Sequence, residues 1–158
     1  TMAAYFGYGA MTDADVIAAV IGRMPEGEPA TLPGMALCIQ SLEQIPAAAQ
    51  EILRKKWPAD FRSYSAVSMP SSTLSGVVWT VTDEERAVIL DWELVEYGWY
   101  EEASVAVVKK DGTETSASTE IMKGTQPYSL APNSELYPAL LNPKNLILHI
   151  AEEVRKSS

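Results

Sequence analysis

The hydrophobic positions of the chain alternate between the spacing of strands and the spacing of helices. An apolar, aromatic segment at residues 3–8 predicts a first strand. The helix predicted after it has apolar residues at helical spacing: Val16, Ile17, Val20 and Ile21. Thr12, with Asp15 three residues later, resembles a capping box and places the start of this helix. The chain therefore opens with a strand, a turn and a helix.

The same alternation continues through the rest of the chain. Strands are predicted for four apolar or alternating segments: 30–40, 76–81, 99–109 and 113–122. Helices are predicted at 45–57, after a capping box that begins with Thr82, at 134–137, and from about 142. The Ser-rich residues 60–75 predict a loop that includes a short strand near 64–69. Five or six strands with interspersed helices predict a single α+β domain over residues 1–158, built around a mixed, strongly curved sheet.

Two glycines, Gly7 and Gly9, lie between the first strand and the first helix. A glycine backbone adopts conformations that are closed to other residues, and a ligand can approach it closely. A strand, a glycine turn and a helix N-terminus direct free backbone N–H groups to one point, which is a candidate site for a phosphate or a carboxylate. We call residues 7–11 the glycine turn. Taken alone, the pattern favours an ordinary strand-to-helix turn in which glycine serves the geometry only.

The composition narrows the classes of function. The net charge of −9 argues against general binding to nucleic acids and to anionic membrane surfaces, because proteins bind both through positively charged Lys and Arg residues. The single cysteine, Cys38, and the single histidine, His149, argue against a zinc site of the usual kinds. No apolar run has the length of a membrane span and the N-terminus has no signal pattern, so we expect a cytoplasmic protein. The sequence leaves the oligomeric state open.

Five segments carry motifs whose order matches that of a known family: 5–9 (Tyr-Phe-Gly-Tyr-Gly), 32–37 (Leu-Pro-Gly-Met-Ala-Leu), 76–81 (Gly-Val-Val-Trp-Thr-Val), 90–100 (Leu-Asp-Trp-Glu through Gly-Trp-Tyr) and 132–137 (Pro-Asn-Ser-Glu-Leu-Tyr). The set spans nearly the whole chain and resembles the γ-glutamylcyclotransferase-like proteins, which include the avirulence-induced-gene-like group. The resemblance implies an α+β fold with a barrel-like, mixed sheet of five to six strands and flanking helices.

The resemblance also implies a reaction, because enzymes of this family cleave a γ-glutamyl amide by cyclisation. The α-amino group of the substrate attacks its own γ-carbonyl, which releases 5-oxoproline and an amine or amino acid. The attack is intramolecular, so the protein mainly has to hold the folded substrate, and no protein nucleophile, metal or cofactor is needed. One carboxylate moves a proton from the α-ammonium to the leaving amine. The implied partner is a small γ-glutamyl-type substrate, and the implied enzyme is a lyase or acyltransferase.

Glu93 is the predicted catalytic carboxylate. It lies five residues before Gly98, which is the family's spacing, although it comes one residue early when counted from Asp91. Glu93 therefore requires a deletion of one residue relative to the family's motif. The rival is Glu96, which a different placement of this deletion would select. For either glutamate, the alternative is a solvated charge at a helix end, the commoner fate of this residue type. The resemblance favours Glu93.

The residues implied to bind the substrate are Tyr8, Gly9, Ala10, Met11, Tyr100 and Tyr137. The family continues its glycine loop with Ser-Asn, whereas this chain has Ala10 and Met11. The backbone donors remain, but the hydroxyl and amide side chains are missing, and methionine predicts a more apolar pocket. Leu94 also replaces the glycine that follows the family's catalytic glutamate. These departures support a second hypothesis, a small-molecule-binding protein that kept the pocket and lost the activity.

Overall fold

A computed structural model describes residues 1–157, and its β-sheet closes into a barrel. The strands and α-helices of these residues occur in the order β1 (Met2–Gly7), α1 (Ala14–Ile21), β2 (Glu26–Ser41), α2 (Ala47–Arg54), β3 (Arg62–Thr82), α3 (Asp83–Trp92), β4 (Tyr100–Lys109), β5 (Glu114–Met122), β6 (Ser129–Leu130) and α4 (Lys144–Lys156). Short 3₁₀ helices lie between them at Gly9–Thr12, Leu42–Gln44 and Val95–Tyr97.

Five of the strands in residues 1–157 form the barrel, in the order β3, β1, β5, β4 and β2, and β2 pairs again with β3. The strands β1 and β5 are parallel, with Tyr5 opposite Ser118, whereas the other pairs are antiparallel. The short strand β6 pairs with β2 at Cys38 and Ile39. Closure pairs the backbone groups that an open sheet edge would leave free. The predicted α+β fold with a mixed, barrel-like sheet is confirmed.

Alternation along the strands divides the apolar core into two faces. On β1, Phe6 packs with residues from all five barrel strands, whereas its neighbour Tyr5 packs with residues from α1, α3 and α4. Successive side chains of a strand point to opposite faces, so Phe6 faces the barrel interior and Tyr5 faces the helices. A third apolar cluster lies beside α2 and includes Leu53, Phe61 and Trp99. The candidate site lies where the helix-covered face meets this third cluster.

The loop predicted for most of residues 60–75 is wrong, because β3 begins at Arg62, and the short strand predicted near 64–69 is part of it. Serine and apolar residues alternate at 63–66, and residues 62–68 pair with 35–41 of β2. The register shifts between Pro33 and Met35, and proline is tolerated in strands at such irregularities. A Ser-rich segment forms a strand here because β2 supplies partners for its backbone hydrogen bonds.

The start of α1 also differs from the prediction. Asp13, not Thr12, is the N-cap, and its side chain accepts hydrogen bonds from the N–H groups of Asp15 and Val16. The Thr12 hydroxyl instead donates to the carbonyl of Gly9, at 2.8 Å. Thr12 therefore stabilises the glycine turn, and Asp13 supplies the cap.

A turn replaces the helix predicted at residues 134–137. Ser134 accepts a hydrogen bond from the N–H of Leu37 at 2.9 Å, and its carbonyl accepts one from the N–H of Ser75 at 3.0 Å. These bonds fix the segment to two strands, β2 and β3, and this attachment is incompatible with a helix that satisfies its own backbone.

The start of α3 has the predicted capping box. The N–H of Glu85 donates to Thr82 Oγ1 at 3.0 Å, and the N–H of Thr82 donates to Glu85 Oε1 at 2.8 Å. Arg23 donates to both carboxylate oxygens of Glu85, at 2.7 and 2.8 Å, and these bonds lower the pKa of Glu85 to about 2. The helix is thus anchored at its first turn. None of the helices in residues 1–157 is long and apolar enough to span a membrane.

Candidate active site

A pocket opens beside the glycine turn. Its volume is about 90 Å³, and its mouth is open to solvent. Tyr8, Ala10 and Met11 of the glycine turn line one side. Glu93 and Glu120 also line it, so two carboxylates and the turn share one cavity. Most of the remaining lining is aromatic or aliphatic.

Glu93 enters the pocket from the end of α3. Its backbone N–H donates to the carbonyl of Ile89 at 2.9 Å, which is the last turn of the helix. The next residue, Leu94, has a left-handed backbone with φ 55° and ψ 43°. This conformation costs a residue other than glycine about 1–2 kcal/mol. It turns the chain away from the helix at the position where the family's motif has glycine.

Burial raises the pKa of Glu93 from 4.5 to about 8, because a charged carboxylate loses solvation in the pocket wall. The negative charge of Glu120 acts in the same direction, and the guanidinium of Arg86 partly offsets both. At neutral pH, Glu93 is therefore mostly protonated in the free protein. A carboxyl group with a pKa in this range can accept and return a proton near physiological pH.

Glu120, on β5, is the second carboxylate of the pocket and is only 2% exposed. It forms an ion pair with Nη2 of the buried Arg86, on α3. Nε of Arg86 donates to Ser118 Oγ at 2.8 Å, and the guanidinium carbon lies 4.7 Å from the centre of the Tyr5 ring. Burial raises the pKa of Glu120 to about 7, even though the charge of Arg86 opposes this shift. The pair sets the charge of the pocket next to Glu93.

Sequence reasoning missed the Arg86–Glu120 pair, although one signal for it exists. Arg86 precedes the buried Ile89 by three residues, so both side chains share the inner face of α3. A buried charge needs a partner of opposite charge. The sequence does not say which of its many carboxylates lies opposite, because β5 comes close only when the barrel closes.

Two of the predicted binding tyrosines occupy different positions relative to the pocket. Tyr8 lines it, and its hydroxyl donates to the backbone carbonyl of Glu120 at 2.7 Å. Tyr8 therefore connects the glycine turn to the strand that carries the second carboxylate. Tyr100 is buried outside the lining, and its hydroxyl donates to the carbonyl of Tyr64 at 2.7 Å.

Tyr137 and the rival acid Glu96 lie away from the pocket. Tyr137 is 50% exposed, and its hydroxyl donates to the carbonyl of Gly76 at 3.1 Å. Glu96 is exposed on the 3₁₀ helix Val95–Tyr97 and does not belong to the pocket lining. Of the two candidate glutamates, the structure brings only Glu93 to the glycine turn.

Of the glycine turn, Tyr8, Ala10 and Met11 line the cavity, whereas the predicted binding residue Gly9 is not part of the lining. Gly9 has a φ of 61°, which favours glycine. Gly9 and Ala10 are the first two residues of the 3₁₀ helix Gly9–Thr12, and the first N–H groups of a helix have no partner within it. The carbonyl of Met11 accepts a hydrogen bond from Trp79 Nε1 at 2.9 Å, which fixes the far end of the turn. The turn therefore combines a fixed far end with backbone donors that the 3₁₀ helix itself does not use.

Gly9→Ala should destabilise the protein more than the control Gly34→Ala. Both glycines have a positive φ, 61° and 84°, so each substitution carries about 1–2 kcal/mol of backbone cost. A Cβ added at Gly9 would lie 2.8 Å from the Cβ of Tyr64, whereas one added at Gly34 would have nothing within 4 Å. Overpacking typically costs about 1–3 kcal/mol more. Chemical denaturation measures the difference, and equal losses would show that Tyr64 moves aside freely.

The single cysteine and the single histidine lie apart from the pocket lining. Cys38 is buried on β2, and burial raises the pKa of its thiol to about 12, so the reactive thiolate is disfavoured. Nε2 of His149 lies 2.8 Å from Glu153 on the exposed face of α4. Among residues 1–157, no group of three or more His, Cys, Asp and Glu side chains could hold a metal ion.

Several solved structures are similar to the chain over almost its whole length. A γ-glutamyl cyclotransferase is 19% identical with a TM-score of 0.66, and the match covers 98% of this chain and 87% of that one. The uncharacterized human protein loc79017 is also 19% identical, with a TM-score of 0.64 and coverages of 98% and 86%. For At5g39720.1 from Arabidopsis thaliana the identity is 21%, the TM-score 0.54 and the coverages 99% and 84%.

No family model matches the chain, and no curated protein matches it. At these low identities the structural likeness establishes the fold. The chain has the γ-glutamyl cyclotransferase-like fold, and the resemblance predicted from its motifs is confirmed at this level.

Proposed function

We propose that the protein cleaves a γ-glutamyl amide by intramolecular cyclisation, releasing 5-oxoproline and an amine. The observation that carries the proposal is that Glu93, whose pKa is raised to about 8, shares one pocket with the glycine turn. The fold supports the same reaction, because a similar structure is that of a γ-glutamyl cyclotransferase.

In this proposal the glycine turn binds the α-carboxylate of the γ-glutamyl group through the N–H groups of Gly9 and Ala10. The side chains of Ala10 and Met11 offer no hydrogen-bond donor, so recognition at the turn relies on the backbone. The α-ammonium of the substrate lies near Glu93. A neighbouring positive charge favours the ionised carboxylate, so substrate binding itself lowers the pKa of Glu93 and prepares the base.

The reaction then proceeds within the substrate. Glu93 accepts a proton from the α-ammonium, and the freed nitrogen attacks the γ-carbonyl carbon to form the lactam bond. The original amide C–N bond breaks, and the proton passes to the leaving nitrogen. In total two protons leave the attacking nitrogen and two reach the amine, which departs as an ammonium ion. The products contain all the atoms of the substrate, so no water is consumed. Holding the folded conformer supplies the entropic part of the acceleration.

The proposal is tested by incubating the protein with a panel of γ-glutamyl amides and following the products by mass spectrometry. We expect 5-oxoproline and free amine in equal amounts and no glutamate, since glutamate would indicate hydrolysis. Binding without any 5-oxoproline would instead support a non-catalytic small-molecule-binding protein. The apolar side chains of Ala10 and Met11 in the glycine turn favour this second candidate.

A further inference from the structure

One wall of the pocket is built from three aromatic rings, and we call it the aromatic wall: Trp57, Phe61 and Trp92. The ring centres of Trp57 and Phe61 are 4.9 Å apart, and those of Trp57 and Trp92 are 6.1 Å apart with 60° between the ring planes. Trp57 and Trp92 are only partly buried. The rings therefore hold one another in place while two of them keep surface for a ligand.

The aromatic wall begins directly beside the candidate catalytic acid. Trp92 is the last residue of α3, and Glu93 is the residue after it. Glu93 has to reach the nitrogen of the amide that breaks, because it delivers the proton there. The substituent on that nitrogen is the leaving group, so it has to occupy the cavity that Glu93 shares with Trp92. The wall is thus the surface that the leaving group meets.

The pocket lining offers no buried cation to a carboxylate in this space. Glu93 and Glu120 line the cavity, and the only Lys or Arg in the described lining is Arg62, which is exposed. A carboxylate placed against the aromatic wall would lose its hydration without gaining a buried cationic partner. An apolar group would instead be removed from water by the rings. The ammonium that forms as the amine departs is also attracted by tryptophan faces.

Resting on the proposed function, we infer that the leaving group is an apolar, preferably aromatic, amine without a carboxylate, rather than an amino acid. The buried Arg86 offers no free charge to an acidic substituent, because it is paired with Glu120. The specificity of the site then comes from the glycine turn at the γ-glutamyl end and from the aromatic wall at the amine end.

A matched pair of substrates tests this inference. γ-Glutamyl-phenethylamide and γ-glutamyl-phenylalanine differ only in the carboxylate of the leaving group. The phenethylamide should have a kcat/KM at least about tenfold higher, which is the scale of discrimination expected from an apolar pocket. An equal or higher value for γ-glutamyl-phenylalanine would overturn the inference and leave the proposed function intact. If no γ-glutamyl amide of the panel, these two included, yields 5-oxoproline, the proposed function fails.

Affinity keeps the inference testable even without turnover. The tryptophans of the wall report binding by fluorescence, and the phenethylamide should bind at least about tenfold more tightly than γ-glutamyl-phenylalanine. Trp57→Leu should raise the KM for the phenethylamide while changing kcat little, and it should leave γ-glutamyl-methylamide almost unaffected. Tyr128→Ala is the control, because Tyr128 is an exposed aromatic residue outside the pocket lining. Unchanged phenethylamide kinetics in Trp57→Leu would contradict a role for the wall.

Discussion

Glu93→Gln should lower the rate of 5-oxoproline release by about a hundredfold to ten-thousandfold, which is the usual effect of losing a positioned general base. Glutamine keeps the shape and hydrogen-bonding reach of the side chain but cannot carry the proton. The loss should fall on kcat, with KM nearly unchanged, because the backbone of the glycine turn still binds the γ-glutamyl group. Steady-state kinetics with a γ-glutamyl amide measures both parameters.

Stability measurements show whether the Glu93→Gln variant remains folded. The unfolded glutamate ionises near pH 4.5, whereas the folded one holds its proton to about pH 8. Between these values the folded protein binds more protons than the unfolded chain, so Glu93 lowers stability as the pH rises. Glutamine removes this loss. The variant should therefore match the wild type near pH 4 and be the more stable protein near pH 8.

The matched control is Glu96→Gln, because Glu96 is exposed and lies outside the pocket lining. It should leave kcat and KM unchanged. If Glu96→Gln abolishes turnover while Glu93→Gln does not, the deletion relative to the family's motif belongs elsewhere and Glu96 is the base. If the wild type binds γ-glutamyl amides without converting them, neither variant can change turnover, and the protein is a binding protein.

Glu120→Leu should cost about 3–5 kcal/mol of stability, the scale for removing one partner of a buried ion pair. Arg86→Leu should cost less at pH 6. A guanidinium does not lose its charge. Without Glu120 it retains the Tyr5 ring, Ser118 and the half-exposed Glu102, which lies 3.5 Å from Nε. The carboxyl of Glu120 can instead take up a proton, and its pKa is already about 7 beside the arginine.

The stability losses of Glu120→Leu and Arg86→Leu should respond differently to pH. Arg86 lowers the pKa of Glu120, so removing Arg86 raises that pKa further. The folded Arg86→Leu protein then binds more protons than its unfolded chain to a higher pH, and its deficit relative to the wild type grows above neutrality. Urea denaturation at pH 6 and pH 9 measures this growth. A larger loss for Arg86→Leu than for Glu120→Leu at pH 6 would contradict the asymmetry between the two partners.

Glu102→Gln serves as the reference for the ion-pair variants. Glu102 reaches the same guanidinium, but its side chain is 47% exposed. An exposed charge contributes little, so this substitution should change the stability by no more than about 0.5–1 kcal/mol. A loss comparable to that of Glu120→Leu would mean that the exposed carboxylate holds the arginine.

The fold could be predicted from sequence because its signals are local and repeated. Short motifs in a fixed order indicated the family's barrel-like sheet, and Thr82 marked the start of α3 correctly. The failures lie where a distant partner decides the local structure. Residues 62–75 belong to a strand because β2 pairs with them, and the turn at 134–137 is held by Leu37 and Ser75. The composition of a segment does not show which distant strand will pair with it.

The candidate site was only partly predictable, for a related reason. Glu93 and the glycine turn were found because each belongs to a motif, and the structure brings them together. Glu120 belongs to none, since its position depends on pairing between β5 and β1. Tyr137 lies in a motif yet bonds to Gly76 outside the cavity. A motif identifies residues, but the closure of the barrel decides which of them meet.

Barrel closure also has a consequence for the order of folding. The Thr119 hydroxyl donates to the carbonyl of Phe6, 113 residues away, where β5 meets β1. The glycine turn follows β1 directly, and Glu120 is on β5. Contacts between such distant segments form late and slowly, since the loop between them must first be closed. A chain with its helices formed but its barrel still open would therefore lack the site altogether, and the onset of ligand binding during refolding would report the last pairing of the sheet.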